Sequence, residues 1–442
     1  MNERIKHLRE QGVHFVRVLW CDNANVIRAK AAHIDVVEEG GGAVGISAAQ
    51  QALPVMYDAV VEGSGLGPVG EVQLVPDWET LHKLPYLPGY AEVVGDMTMR
   101  EQPWEHCPRG FLKQQVARLG GHELEVQAAF ENEFFLLRPG QEQPVPADET
   151  VFAAAQAMNG VGELVLEITD ALTAQGLTVE TYYPESGPGQ HELAVRYRTA
   201  LAAADQQLVY RETVRAVAAR HGLLASFLPK IFADKAGSGC HLNLSLWQGG
   251  KNVTGDRQQN SGLGPDAQAF IAGVLAHLKG LCALTIPSVN SYRRIRPHFW
   301  AGAFTAWGYD NREAAVRVFA GGLDAPPKRF EIKCVDATAN PYLALGAVLA
   351  AGLDGIERGL TLPKEALGDP ALMSETERAV SGVEPLPSTL GGAIAELERD
   401  DVLLAALGEA RAQTYLAVRR AEWDALKDAT LGDEVALLLG RY

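Results

Sequence analysis

The chain has 442 residues, with 39 lysines and arginines against 55 aspartates and glutamates, and 47% of its residues are hydrophobic. A formal net charge of -16 argues against a general nucleic-acid binder or a binder of anionic membranes. The length exceeds what one hydrophobic core usually serves, so two soluble domains are the default.

The opening MNERIKHLREQG is amphipathic through Ile5 and Leu8 and lacks the apolar centre of a secretory signal. VHFVRVLWCDNANVIR predicts a strand, a polar turn at 22–25 and a second strand. AVVEGSGLGPVG is a glycine-rich loop, and GEVQLVPD and YAEVVGDMTM each predict a short strand. WEHCPRG then leads into a helix over 111–119, which puts a domain boundary near residue 103: a first domain over 1–102 and a second over 103–442. The second part alternates helices over 163–175, 200–221, 266–282, 341–356, 389–398 and 410–426 with strands over 125–137, 177–183, 224–229, 239–247, 312–319 and 329–334. LWQGGKNVTGDRQQNSGLG is a turn-rich excursion between a strand and a helix. The most apolar long segment, 267–287, carries His277 and Lys279 and does not read as a membrane span. Five scattered cysteines without a CxxC pair read as free thiols in a reducing cytoplasm.

Four segments carry chemistry. In AFENEFFLL a strand would send Glu131 and Glu133 to one face and Asn132 to the other. Two like charges on a shared face are costly to bury without a cation. YYPESGPGQHEL adds Glu185 and Glu192 around a turn, AGSGCHLNLSLW puts His241, Asn243 and Ser245 on one strand face, and RFEIKCVD puts Glu331 and Lys333 on one face, with Arg329 two before Glu331. Five glutamates and a histidine suit two oxygen-rich sites for Mg2+ or Mn2+. Solvated surface acids and a packed strand histidine are the plain alternative. NSYRRIRPHFW and DNREAAVRV supply Arg293, Arg294, Arg296, Arg312 and Arg317, guanidiniums that match carboxylates and phosphates. Acids, metals and arginines together suggest phosphoryl transfer from a metal-bound nucleotide, although no Walker A sequence is present.

ENEFFLL, GPGQHE, GSGCHLNLSLW, PSVNSYRRIRP, DNREAAVRV and FEIKCVDATANPYLALGAVLAAGLDGI occur in an order that resembles the glutamine synthetase family over nearly the whole chain. The resemblance implies an α+β fold. A small N-terminal β-grasp-like domain precedes a large catalytic domain with a curved antiparallel sheet and flanking helices. It also implies self-association into two stacked rings, a dodecamer, in which the Glu62 loop completes a neighbouring subunit's site. Residue by residue, Glu131, His241 and Glu331 match one metal site, and Glu133, Glu185 and Glu192 match the other. Arg294 matches the grip on the α-carboxylate of glutamate, beside Gly237. Arg312, Arg317 and Arg329 match the phosphate-facing arginines. Ser245 lies where the nucleotide packs, with Asn243 where one branch of the family has asparagine. The implied cofactors are ATP and two or three Mg2+ or Mn2+ ions, and the implied chemistry is ligation of glutamate to ammonia or an amine through γ-glutamyl phosphate.

The chain departs from the family where ammonium is bound. Trp300 stands at the position of the flap glutamate, and the family's Asp-Gly-Ser-Ser stretch reads Glu62, Gly63, Ser64, Gly65. Lys333 replaces an arginine facing the glutamate side chain, and Ala236 an asparagine. Tryptophan cannot act as a base, but it can wall an alkyl or aryl group and attract a cation. An amine larger than ammonia is therefore expected. Ammonia served by another acid, or an inactive relative, are the alternatives. Residues 361–388 contain no tyrosine, so control through an adenylylated tyrosine loop is not expected.

Overall fold

The computed structural model describes residues 2–321 and 325–442. The first sheet is built from β1 (Phe15–Cys21), β2 (Ile27–His33), β3 (Val44–Ser47), β4 (Glu71–Lys83), β5 (Tyr90–Met99) and the short β6 (Gln102–Pro103). Its order is β2-β1-β5-β4-β3, with β1 and β5 parallel and the other pairs antiparallel. Strict alternation in GEVQLVPD buries Val72 and Leu74 against Val16, Val18, Trp20 and Val93. The polar β1–β2 turn is fully buried. Asn340 Nδ2 donates to Asp22 O at 2.9 Å, Arg419 Nη2 to Asn23 O at 3.1 Å, and Asn25 Nδ2 reaches Ala337 O at 2.7 Å. These bonds satisfy groups that solvent would otherwise serve, and they pin the first sheet to the rest of the chain.

The second sheet has eleven strands: β7 (Glu125–Arg138), β8 (Val145–Pro146), β9 (Val179–Pro184), β10 (Gln190–Val195), β11 (Arg198–Thr199), β12 (Leu224–Ser226), β13 (Cys240–Gln248), β14 (Lys251–Asn252), β15 (Trp307–Tyr309), β16 (Val316–Val318) and β17 (Phe330–Ile332). Its spine runs β15-β16-β17-β13-β7-β10-β9, antiparallel except for β15–β16. Helices cover the apolar side. Pro341–Arg358 is buried continuously from Pro341 to Gly355 and packs beside Pro265–Ala276.

Several expected bounds differ, the strand over 329–334 contracting to Phe330–Ile332 among them, and three differences have a local cause. The helix over 266–282 is two helices, Pro265–Ala276 and Leu278–Thr285, bent by 76°. His277 sits at the break, with Nδ1 2.8 Å from Asp400 Oδ2 and Nε2 3.0 Å from Asp354 Oδ2. Continuous apolarity masked a bend that these two distant carboxylates stabilise. The strand over 312–319 contracts to Val316–Val318, because Asn311 Oδ1 accepts from Glu313 N at 3.0 Å and holds a turn. The strand over 224–229 stops at Ser226, where Phe227 N instead donates to Tyr442 O at 3.1 Å. No single helix among the described residues is long and apolar enough to cross a membrane. All five cysteines are buried free thiols.

Candidate active site

Strand alternation and sheet register build the site. On β7, Asn132 turns into the core and exchanges hydrogen bonds with Gln207 at 2.7 Å, so Glu131 and Glu133 face the other way. Register then places His241 opposite Glu131, Glu192 opposite Glu133, and Glu331 opposite both Asn243 and Arg317. The result is two clusters, Glu131–His241–Glu331 and Glu133–Glu185–Glu192, each with its ligand atoms within 4.8 Å of one another. His241 Nδ1 lies 3.6 Å from Glu131 Oε2, and its Nε2 lies 4.0 Å from Glu133 Oε1. Glu185 comes from the turn after β9, where Tyr183 Oη donates to its Oε1 at 2.5 Å and Ser186 N to its Oε2 at 2.9 Å.

Burial, then the neighbouring carboxylates, raises the Glu192 carboxyl far above the ordinary carboxylate range. Burial, with Glu185 next, raises Glu133 as well. Such a cluster cannot be fully ionised without a cation among it. Burial, assisted by Lys333, lowers His241 and keeps its imidazole in the neutral form that binds metals. The donor set of carboxylates and one neutral imidazole therefore fits hard divalent cations.

Arg294 is buried, with Nη2 donating to Lys333 O at 3.1 Å and Val335 O at 2.8 Å, while its Nε has no protein partner. The Gly-Ser-Gly turn makes this approach possible: a Cβ on Gly237 would meet Pro229 O at 2.5 Å and Arg294 Cγ at 2.8 Å, and one on Gly239 would meet His241 Nε2 at 2.7 Å. Gln190 stitches this turn to the second cluster. Its Nε2 lies 3.0 Å from Gly237 O, 3.1 Å from Ser238 Oγ and 3.3 Å from Glu133 Oε2.

The cations gather on the adjoining side. Arg317 Nε lies 3.2 Å and Lys333 Nζ 3.3 Å from Glu331 Oε1. The guanidiniums of Arg317 and Arg329 each lie 4.1 Å from the centroid of Phe319, and that of Arg312 lies 5.5 Å from the Trp300 ring. Trp300 has a positive φ of 53°, and its N–H donates to Glu313 Oε1 at 3.0 Å. Both clusters, Gly237, Arg294, Lys333, Trp300 and the three arginines line one cavity of about 750 Å³. A second cavity, of about 450 Å³, is lined by Asn243, Ser245, Tyr197 and Trp247 and also by Arg329.

Glu62 does not line the large cavity and is exposed at the chain's surface. Its loop is fixed by Gln413 Nε2 donating to Gly63 O at 3.0 Å and Thr414 Oγ1 to Ser64 O at 2.7 Å. Sequence reasoning missed Phe152, Tyr183, Gln190, Phe299 and Phe319, all of which line the cavity. Tyr183 and Gln190 stand inside the acid-bearing motif and were within reach. Phe152 lies in a segment with no motif, and its position over the site comes from folding alone.

Comparison with known proteins matches residues 1–102 to the glutamine synthetase N-terminal domain and residues 105–437 to the glutamine synthetase catalytic domain. The chain is 38% identical over 423 residues to a gamma-glutamylpolyamine synthetase of Streptomyces coelicolor, covering 94% of this chain and 91% of that one. It is 34% identical over 447 residues to a glutamine synthetase of Methanocaldococcus jannaschii, covering 97% and 96%. A solved structure described as a GmaS/ADP complex superposes with a TM-score of 0.85 at 31% identity, covering 99% of both chains.

Proposed function

Since the chain belongs to the glutamine synthetase family, we propose that this ATP-dependent ligase joins the γ-carboxylate of glutamate to a primary amine larger than ammonia. The observation that carries the reading is the mouth of the acid-lined cavity. Phe152, Phe299 and Trp300 line it with 47%, 51% and 51% of their surface exposed. Apolar rings left open beside carboxylates are stabilised when an alkyl or aryl group covers them, and their faces attract an ammonium. Ammonia offers charge but no surface to cover. The likeness to a gamma-glutamylpolyamine synthetase supports the same direction.

Family membership brings ATP and divalent metal use. Glu131, His241 and Glu331 would hold one ion and Glu133, Glu185 and Glu192 another, supplying charge neutralisation between two anionic reactants. Arg294 binds the α-carboxylate of glutamate beside the Gly237 turn. Asn243 and Ser245 hold the nucleotide in the adjoining cavity, and Arg329, which lines both cavities, reaches its phosphates with Arg317 and Arg312. The γ-phosphoryl group passes from ATP to the glutamate side chain, giving ADP and an acyl phosphate. The amine nitrogen then displaces phosphate and loses a proton as the amide forms. Lys333 and the arginines offset the charge that develops on the phosphoryl oxygens. Glu62 serves the amine of a neighbouring subunit within a stacked-ring assembly, a dodecamer in the cytoplasm. Mg2+ or Mn2+ would suit these oxygen-rich donor sets.

The test is kcat/KM for ammonia, methylamine, ethanolamine, putrescine and an arylamine, measured as glutamate- and amine-dependent phosphate release under one set of conditions. A preference for ammonia of more than about tenfold, equivalent to ~1.4 kcal/mol, overturns the larger-amine assignment and leaves a glutamine synthetase with an altered flap.

A further inference from the structure

Phe319 is half-buried, at the end of β16, where Phe319 N donates to Arg329 O at 3.3 Å. Register puts Arg317 opposite Glu331 and Val318 opposite Phe330, so Arg317, Phe319, Arg329 and Glu331 share one face. Both guanidiniums rest on the Phe319 ring, each 4.1 Å from its centroid. Two like charges brought together on a strand pair repel. An aromatic face offsets part of that repulsion through its quadrupole and holds planar guanidiniums by stacking. A guanidinium held over a ring face makes that contact without using its N–H donors, which lie in its plane and can still meet an anion.

We propose that Phe319 is a positioning residue for phosphoryl transfer: its ring is the platform that orients Arg317 and Arg329 as a paired anion fork. This rests on the ligase reading above and adds a residue outside the acid and arginine motifs. Phe319 touches the arginines and acts through them. Glu331 contributes from the other side, 3.2 Å from Arg317 Nε, but it is also wanted by the first acidic cluster. The ring therefore fixes Arg317 when that carboxylate is engaged elsewhere.

The experiment compares wild type with Phe319→Leu, which keeps apolar volume without a π face, and Phe319→Tyr, which keeps the face. The reaction is glutamate-dependent ADP formation without amine, followed through the first turnover, in which the γ-phosphoryl group passes from ATP to the glutamate side chain before breakdown of the acyl phosphate can limit the rate. A cation–π contact at an exposed site corresponds to a factor of about two to five and a more buried one to more, so losing two predicts a fall of about tenfold or greater. We expect that fall in the first-turnover rate at saturating glutamate for Phe319→Leu, with the half-saturating glutamate concentration unchanged, and recovery to within about twofold in Phe319→Tyr. Melting temperature and assembly size are followed in all three proteins, and Phe319→Met repeats the test should the leucine variant not fold. Equal first-turnover rates in wild type and the leucine variant overturn the platform, as does a tyrosine variant as slow as the leucine one. Absence of glutamate-dependent ADP formation in wild type overturns instead the ligase reading on which the platform rests.

Discussion

Replacing Trp300 by alanine tests the amine assignment at the residue that prompted it. A tryptophan presents up to ~250 Å². With 51% of it exposed in the cavity, an alkyl chain covering half of what is open would remove ~60 Å² from water, worth ~1.5 kcal/mol or about twelvefold in rate. Absolute rates are a poor readout, because the same ring carries the Arg312 guanidinium at 5.5 Å and its loss also loosens that arginine. The ratio of kcat/KM for butylamine to that for ammonia cancels any effect on the shared phosphorylation step. Coupled ADP release at saturating glutamate and ATP measures both. We expect the ratio to fall about tenfold in Trp300→Ala and to move further toward ammonia in Trp300→Glu, which returns a carboxylate to the flap. A ratio within about twofold of wild type in both variants would refute the reasoning and reassign Trp300 to supporting Arg312 alone.

Glu331→Ala should lose one of two Mn2+ equivalents in equilibrium dialysis and lose activity, while keeping its circular dichroism; two ions retained in the variant would return Glu331 to its pairing with Lys333 and Arg317. Raised Glu133 and Glu192 carboxyls must each shed a proton when a cation enters, so Mn2+ affinity should climb with pH by up to about tenfold per unit for each carboxyl still protonated; a flat profile between pH 6 and 9 would contradict the clustered acids. His277 is shifted downward by burial but upward, and by more in sum, by its bonds to Asp400 and Asp354. A group with a raised folded-state pKa adds stability that is complete below its ordinary value of 6.5 and disappears as pH rises through the raised one. Melting temperature should therefore decline across that window, and His277→Gln should flatten the decline. Finally, Glu62→Ala and Glu331→Ala, each inactive alone, should regain part of the activity when refolded as a mixture, since one wild-type loop can then meet one wild-type cavity; no recovery in mixed assemblies would place Glu62 outside the site.

What the sequence determined by itself is local. The alternation of side chains along a strand is fixed by covalent geometry, so Glu131 and Glu133 had to share a face, as had His241 and Asn243, whatever the rest of the chain did. The apolar run of 341–356 is long enough to favour a buried helix over a strand, and the Gly-Ser-Gly turn can allow close approach. Tertiary structure decided which strands lie side by side. Placing Glu192 against Glu133 and Glu331 beside His241 depends on pairing segments 59 and 90 residues apart, and that register is set by packing of the opposite, apolar face. The same distance dependence explains the misses. A bend at His277 is stabilised by carboxylates 77 and 123 residues away, a turn shortens the strand that DNREAAVRV suggested, and Phe319 finds its two arginines only once β16 and β17 are paired. Phe152 meets Tyr183 across a ring separation of 6.1 Å although no pattern in its own segment points there. Contacts of this kind carry no periodic signature, because their geometry belongs to the packed chain as a whole.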